Sequence, residues 1–376
     1  MKRIRLIALL FALCLPLCGC MQAVRLNNRA IVQGIGIDLA EDGYLVTLQI
    51  FDAKGGGSQT AVDASKANSM TLQASGRTIA EAISAAELKQ GKEIFYGQNK
   101  LIVVGEEVAR QGLETIISFF NANPQSRPNV DIAMADGRAV DVMTAQISQG
   151  VLPVLSVKSL LENSRTSGRI LRGQVLDVVD AIENGRLGTF MPILVKSGEG
   201  EEETVEVLGT ALYRHSQLVG RADEPATRGL LWLRDDVKRT DLVVQHPKLG
   251  DVSLAVVRAD THIQPQIVDG VPHFVITCKT RSHINESIVT PENAALFQSI
   301  TDLERMETDV IRAEMERALE LSLRDCGTDL LELANLLDKY QHEWFVANCE
   351  RYDELLPQFT WELQVSSEIT RYGLQT

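Results

Sequence analysis

Apolar and polar residues alternate along much of this chain, and the period of the alternation changes at well-marked places. Ile31, Ile35 and Ile37 lead into Glu41-Asp42-Gly43, a turn signal, and the run Tyr44 to Phe51 is rich in residues that suit a half-buried strand. Residues 30–51 are therefore predicted to form a hairpin. Lys54-Gly-Gly-Gly-Ser58 reads as a flexible loop. Thr78-x-x-Glu81 is a capping box ahead of an amphipathic helix, Ile79 to Leu88. Lys100 to Val104 is a short apolar strand ended by Gly105, Glu106 to Phe120 a helix, and Val130 to Met134 another strand. Helices are predicted near 138–147, 153–163 and 173–183, followed by a strand from Phe190 to Val195.

The second half is patterned differently. Ser197-Gly-Glu-Gly-Glu-Glu-Glu203 is an acidic connector, read as a solvated linker because adjacent glutamates without ordered spacing rarely cage calcium. Val207 to Tyr213, Gln217 to Val219 and Leu230 to Leu233 are predicted as short strands. Val252 to Ile267 and His273 to Ile288 read as two long strands around Asp269-Gly270, a hairpin turn pair. Thr290-Pro291 is placed to start a helix whose apolar stripe is Leu296, Ile300, Leu303, Val310 and Ala318, with Gly327 as its stop. A second helix is predicted over Asp329 to Val346. Phe359 to Ile369 then alternates as a closing strand.

The fold class is thus α+β, with a C-terminal β-β-α-α-β unit and three domains, each a sheet packed with helices. The expected segments are 1–19 as a signal peptide, 20–196 as an N-terminal α+β domain and 197–204 as the acidic linker. Residues 205–250 are expected as a small middle domain and 251–376 as a C-terminal α+β domain.

The first twenty residues change the picture. Lys2, Arg3 and Arg5 precede an apolar run from Leu6 to Leu17 that is too short for a bilayer span, which needs roughly 20 apolar residues. The run ends Leu17-Cys18-Gly19-Cys20, which resembles the bacterial lipobox. Cys20 is the expected lipid attachment site, its thiol taking a diacylglyceryl group. Each buried CH₂ contributes roughly 0.8 kcal/mol, so stable anchoring needs about two chains. An ordinary secretory signal that happens to carry a Cys at its cleavage site is the alternative.

The 376 residues carry a formal net charge of -13, and losing the three signal cations leaves about -16. Such a surface repels phosphate backbones and argues against nucleic acid and against basic-patch adhesion to anionic lipid. Cys278, Cys326 and Cys349 show no CxxC spacing and read as core thiols, with a Cys326–Cys349 pairing left open.

The search for chemistry comes back thin. No GxSxG, SxxK, HExxH or P-loop occurs, and Gly34-Ile-Gly36 lacks a third glycine, so it reads as a strand-end feature. His262 and His273 could face each other across the long hairpin. His273 and His283 lie about 33 Å apart at strand rise and cannot share a metal. All three are read as surface histidines. Asp38, Glu41 and Asp42 read as turn residues, and Trp232, Trp344 and Trp361 as core. No catalytic, cofactor or metal residue is assigned.

One segment is more specific. Tyr96-Gly-Gln-Asn-Lys-Leu-Ile-Val-Val-Gly-Glu-Glu-Val-Ala-Arg-Gln-Gly-Leu-Glu-Thr-Ile-Ile-Ser-Phe-Phe120 resembles the C subunits of bacterial spore germinant receptors, the Ger(x)C lipoprotein family. Gly34-Ile-Gly-Ile-Asp38 with Tyr44 to Thr47 is similar to that family's opening hairpin. Arg127 with Val130 to Met134 keeps its order. Gly209 to Gly220 is similar to its middle segment, and Trp344 with Trp361 to Arg371 to its end. The resemblance runs over nearly the whole chain. It implies a three-domain lipoprotein on the outer face of the inner spore membrane. There it would work with two polytopic subunits, A and B, in sensing nutrient germinants. It implies no catalysis, no cofactor and no established ligand-binding residues. A solute-binding lipoprotein of a transporter, with two α/β lobes around a cleft, is the alternative.

Overall fold

The computed structural model describes residues 29–51, 69–145, 153–287 and 299–372. Cys20, the Lys54–Ser58 loop and the Thr290-Pro291 helix start lie outside the described residues.

Strand β1 (Arg29–Ala40) folds back into β2 (Gly43–Phe51), paired antiparallel from Ile31↔Phe51 to Ala40↔Gly43. β3 (Ser69–Gly76) pairs antiparallel with β2. Helix α1 (Ile79–Gln90) then returns along β3. Thr78 Oγ1 accepts the Glu81 N–H, and the Glu81 carboxylate accepts the Arg77 N–H. β4 (Glu93–Phe95) and β5 (Leu101–Val104) pair parallel with successive stretches of the other side of β1. Between its two neighbours β1 is buried on both faces from Gly34 to Asp38, as a central strand with parallel pairing must be.

The helix predicted over 106–120 is two helices, α2 (Glu106–Gln111) and α3 (Glu114–Ala122). Gly112 stands between them at φ +112°, a backbone that a side chain would strain, and the Leu113 N–H turns to the Ser216 carbonyl. β6 (Asp131–Ala135), α4 (Ala139–Thr144), α5 (Pro153–Thr166), α6 (Val175–Asn184) and β7 (Gly188–Ser197) follow close to expectation.

β8 (Thr204–Arg214) pairs antiparallel with β7, and β9 (Gln217–Ala222) with β8. The acidic run read as a linker is the connection of this β7–β8 hairpin. Ser197 pairs with Thr204, and Lys196 forms an ion pair with Glu203. β8 and β9 therefore extend the first sheet. It has nine strands among the described residues, ordered β3-β2-β1-β5-β6-β7-β8-β9, with β4 beside β1. α1, α2, α3 and α6 cover one apolar face, against Val46, Leu48, Ile102 and Ile132. α4 and α5 cover the other, against Leu101, Val103 and Leu194.

Leu230 to Leu233, predicted as a strand, ends a helix, α7 (Glu224–Leu233). Asp223 caps it by accepting the Ala226 N–H, and Pro225 sits in its first turn. β10 (Thr240–His246), β11 (Gly250–Val268) and β12 (Val271–Ser287) form an antiparallel meander. Asp269 and Gly270 both take positive φ (+50° and +82°) in the predicted hairpin turn. Helix α8 (Ile300–Glu320) packs across this sheet and ends in a π-turn, Leu321–Asp325.

The helix predicted over 329–346 breaks at Gln341 into α9 (Leu333–Tyr340) and α10 (His342–Asn348). After α11 (Tyr352–Leu355), β13 (Thr360–Tyr372) joins β12 in parallel, as a crossover through helices allows. The second sheet is thus β10-β11-β12-β13. Its main core gathers Trp232, Phe274, Ile276, Ile311, Met315, Leu319, Tyr352 and Phe359. The described residues form an α+β fold with two sheets.

Candidate functional site

Among the described residues no group of three or more His, Cys, Asp or Glu side chains is placed to hold a metal. The histidines are apart. His262 pairs with Thr277 and His273 with Gln266, so the two are not cross-strand neighbours but sit four positions apart along β12, roughly 13 Å at strand rise. His273 instead meets Thr360 Oγ1 at 2.8 Å. Cys278, Cys326 and Cys349 are free thiols, so Cys326 and Cys349 do not pair. Burial pushes the Cys326 thiol up to about 11. Gly34 and Gly36 lie within β1 rather than at its end, where Val154 and Met143 of the covering helices seat against them.

Asp38 is no turn residue. It is buried, and its carboxylate accepts the N–H groups of Ala139 (2.6 Å) and Val140 (2.9 Å), capping α4 from the central strand. Burial raises its pKa, opposed by those two bonds and by Arg138. Trp232 is fully buried as expected, whereas Trp344 and Trp361 are only partly covered, Trp361 lying under the Arg324 guanidinium at 4.8 Å.

A dense buried polar group ties α7 to α8. On α7, Arg228 directs its guanidinium at Glu314 of α8, with Nε 2.9 Å from Oε2 and Nη2 bonded to Oε1. Trp232 Nε1 donates to the same carboxylate at 2.9 Å. Glu314 is 6 % exposed, so each of these donors replaces lost hydration. Asp329, 1 % exposed, accepts the N–H groups of Leu331, Leu333 and Ala334 and the Tyr352 hydroxyl. Burial raises its pKa against those four donors. Its own carbonyl accepts the Gly188 N–H at the start of β7, which ties this knot to the first sheet. Arg214 reaches across to Asp353 at 2.9 Å.

Glu307 lies deeper, fully buried between α8 and the second sheet. Ser282 donates to Oε1, while Oε2 has no partner. Burial, moderated by Ser282 and reinforced by Glu304, raises its pKa to about 7. Neither glutamate was singled out in the sequence. Both lie at helical spacing with Leu303, Ile311 and Ala318, so an acid on an apolar stripe was the signal.

A cleft of about 930 Å³ opens between α6, β7 and α7. Arg234 pairs with Asp236 and Glu332, donates to the Leu330 carbonyl and stacks on Phe190. No described helix is long and apolar enough to cross a membrane.

Two family models match. "Spore germination protein N-terminal domain" covers residues 22–196, and "Spore germination B3/GerAC like, C-terminal" covers 208–373. Spore germination protein B3 of Bacillus subtilis (strain 168) is 21 % identical over 99 % of both chains. Spore germination protein KC of the same organism is 21 % identical over 98 % of this chain and 95 % of its own. The crystal structure of the GerBC protein superposes with a TM-score of 0.58 at 18 % identity, covering 89 % of this chain and 96 % of that one, and so shares its fold. The matches run in order through both sheets, and the chain belongs to the GerAC-like, or Ger(x)C, family of spore germination proteins.

Proposed function

We propose that this chain is the lipid-anchored, non-enzymatic C subunit of a nutrient germinant receptor. Acylated Cys20 would hold it on the outer face of the inner spore membrane, beside polytopic A and B subunits. The observation that carries the reading is the match of both family models, N- and C-terminal, to one chain that begins with a lipobox. The structural part we propose has two units. One is built on the nine-stranded sheet through Ala222, the other on the four-stranded sheet. They are joined through the Asp329 knot, whose carbonyl accepts the Gly188 N–H, and by the Arg214–Asp353 pair, as suits a rigid scaffold for partners. A transporter's solute-binding protein closes two lobes about a cleft; in the cleft here Arg234 is already paired with Asp236 and Glu332.

The test is a pair of measurements in the source organism. Palmitate labelling is expected on the unsubstituted protein and lost in Cys20→Ser, together with membrane association. Deletion of the gene is expected to remove the response to at least one nutrient. A Cys20→Ser protein that stays labelled and membrane-bound would contradict the anchor.

A further inference from the structure

Of the eleven exposed large apolar side chains among the described residues, four gather at one end of the first sheet. They are Leu88 (87 % exposed), Leu176 (44 %), Phe51 (39 %) and Leu155 (38 %). Phe51 pairs with Ile31, two residues into β1. Leu88 is in the last turn of α1, which leads through Gly91 and Lys92 to Glu93, the partner of Arg29. Leu155 follows Val154, whose N–H donates to Gln49 beside the end of β2. The Leu176 N–H donates to the Pro128 carbonyl, just before β6 starts.

This is also the end where the chain enters. Arg29 lies nine positions after Cys20, a tether of roughly 30 Å at most, whatever path it takes. Of the acids near this end, Glu87 accepts the Ile94 N–H and Asp177 the Gln174 N–H. Glu93 pairs with Arg29, and Asp131 with Lys158, while Lys89 and Arg127 are exposed. Single apolar side chains on a surface are ordinary, but several around the point where a lipid tether enters make an interfacial contact.

We propose that this end of the first sheet rests on the bilayer, with Leu88, Leu155, Leu176 and Phe51 entering the headgroup layer. The proposal rests on the reading of Cys20 as the lipid anchor.

The test uses the full-length, lipidated chain in phosphatidylglycerol vesicles containing a nitroxide-labelled lipid. Leu88→Cys, Leu155→Cys and, as the remote control in the β1–β2 turn at the opposite end of the sheet, Asp42→Cys are made in a Cys349→Ser background and labelled with a fluorophore. The mass of the Cys20 peptide is read on the same sample. The expected result is acylated Cys20, strong loss of emission at 88 and 155, and little at 42. Hydrogen exchange of the unsubstituted chain should slow at 84–92 and 153–157 on vesicles relative to 40–44. Acylated protein with 88 and 155 unquenched, as when a protein partner covers them, or with 42 quenched equally, overturns the docking face and leaves the anchor standing. An unmodified Cys20 overturns both.

Discussion

Gly229 of α7 sits against the backbone of Glu314 on α8 so closely that a Cβ on the glycine would lie 2.0 Å from the Glu314 carbonyl oxygen and 2.7 Å from Ala318 Cβ. The absence of a side chain at 229 lets the two helices close until Arg228 and Trp232 reach the Glu314 carboxylate. Gly229→Ala should therefore push α7 from α8 and cost about 1–3 kcal/mol, the usual range for overpacking. Urea unfolding checks it. Unchanged stability would mean that the helices give way freely.

Breaking the pair from one side should cost more. Glu314→Ala leaves the Arg228 guanidinium, 14 % exposed, with only the exposed Glu224 at 3.5 Å as counter-charge, for which about 3 kcal/mol is expected. The double replacement Arg228→Met with Glu314→Leu should recover most of that loss. The Trp232 N–H would still lack its acceptor, a residual cost of about 1–3 kcal/mol. Equal losses in the single and double variants would contradict this.

Glu307 makes stability depend on pH. Its folded pKa, about 7, lies above the value of roughly 4.3 for an unfolded glutamate. The native state thus holds a proton that the unfolded chain has released. The Glu307 contribution is full below about pH 4 and is lost as pH rises through 7, at most roughly 3–4 kcal/mol. Glu307→Gln should flatten the fall in stability between pH 5 and 8 and raise the melting temperature most at pH 8. A variant with the same pH slope as the parent would contradict the burial argument.

Asp38 should govern α4. Asp38→Ala removes the acceptor of the Ala139 and Val140 N–H groups, and loss of such a cap costs about 0.5–2 kcal/mol. Hydrogen exchange should quicken at 139–144 first, with α7 and α8 unaffected. Uniform acceleration across the chain would instead place Asp38 in global stability.

Much of the fold was legible because local pattern and tertiary burial agree. The β1–β2 hairpin, the Thr78 cap and the Asp269-Gly270 turn each carry their signal within a few residues. Leu230 to Leu233 failed because four apolar residues suit a buried strand and a buried helix alike. The deciding signal lay upstream, in Asp223 and Pro225. The junction was less legible. Asp38 meets its partners 101 and 102 residues away, and the parallel pairing of β13 with β12 depends on the crossover through α8 to α11. No short-range pattern encodes either. Glu307 and Glu314 were readable as acids on an apolar helical stripe, but their partners on β12 and α7 were not.

The central claim, that this chain is a receptor subunit beside membrane partners, is tested most directly by affinity purification of the full-length protein from detergent-solubilised spore membranes. The account predicts that two polytopic membrane proteins co-purify with it and that both are lost from the eluate when Cys20→Ser protein is the bait. Recovery of the acylated chain alone, or with the components of a solute transporter, would contradict it.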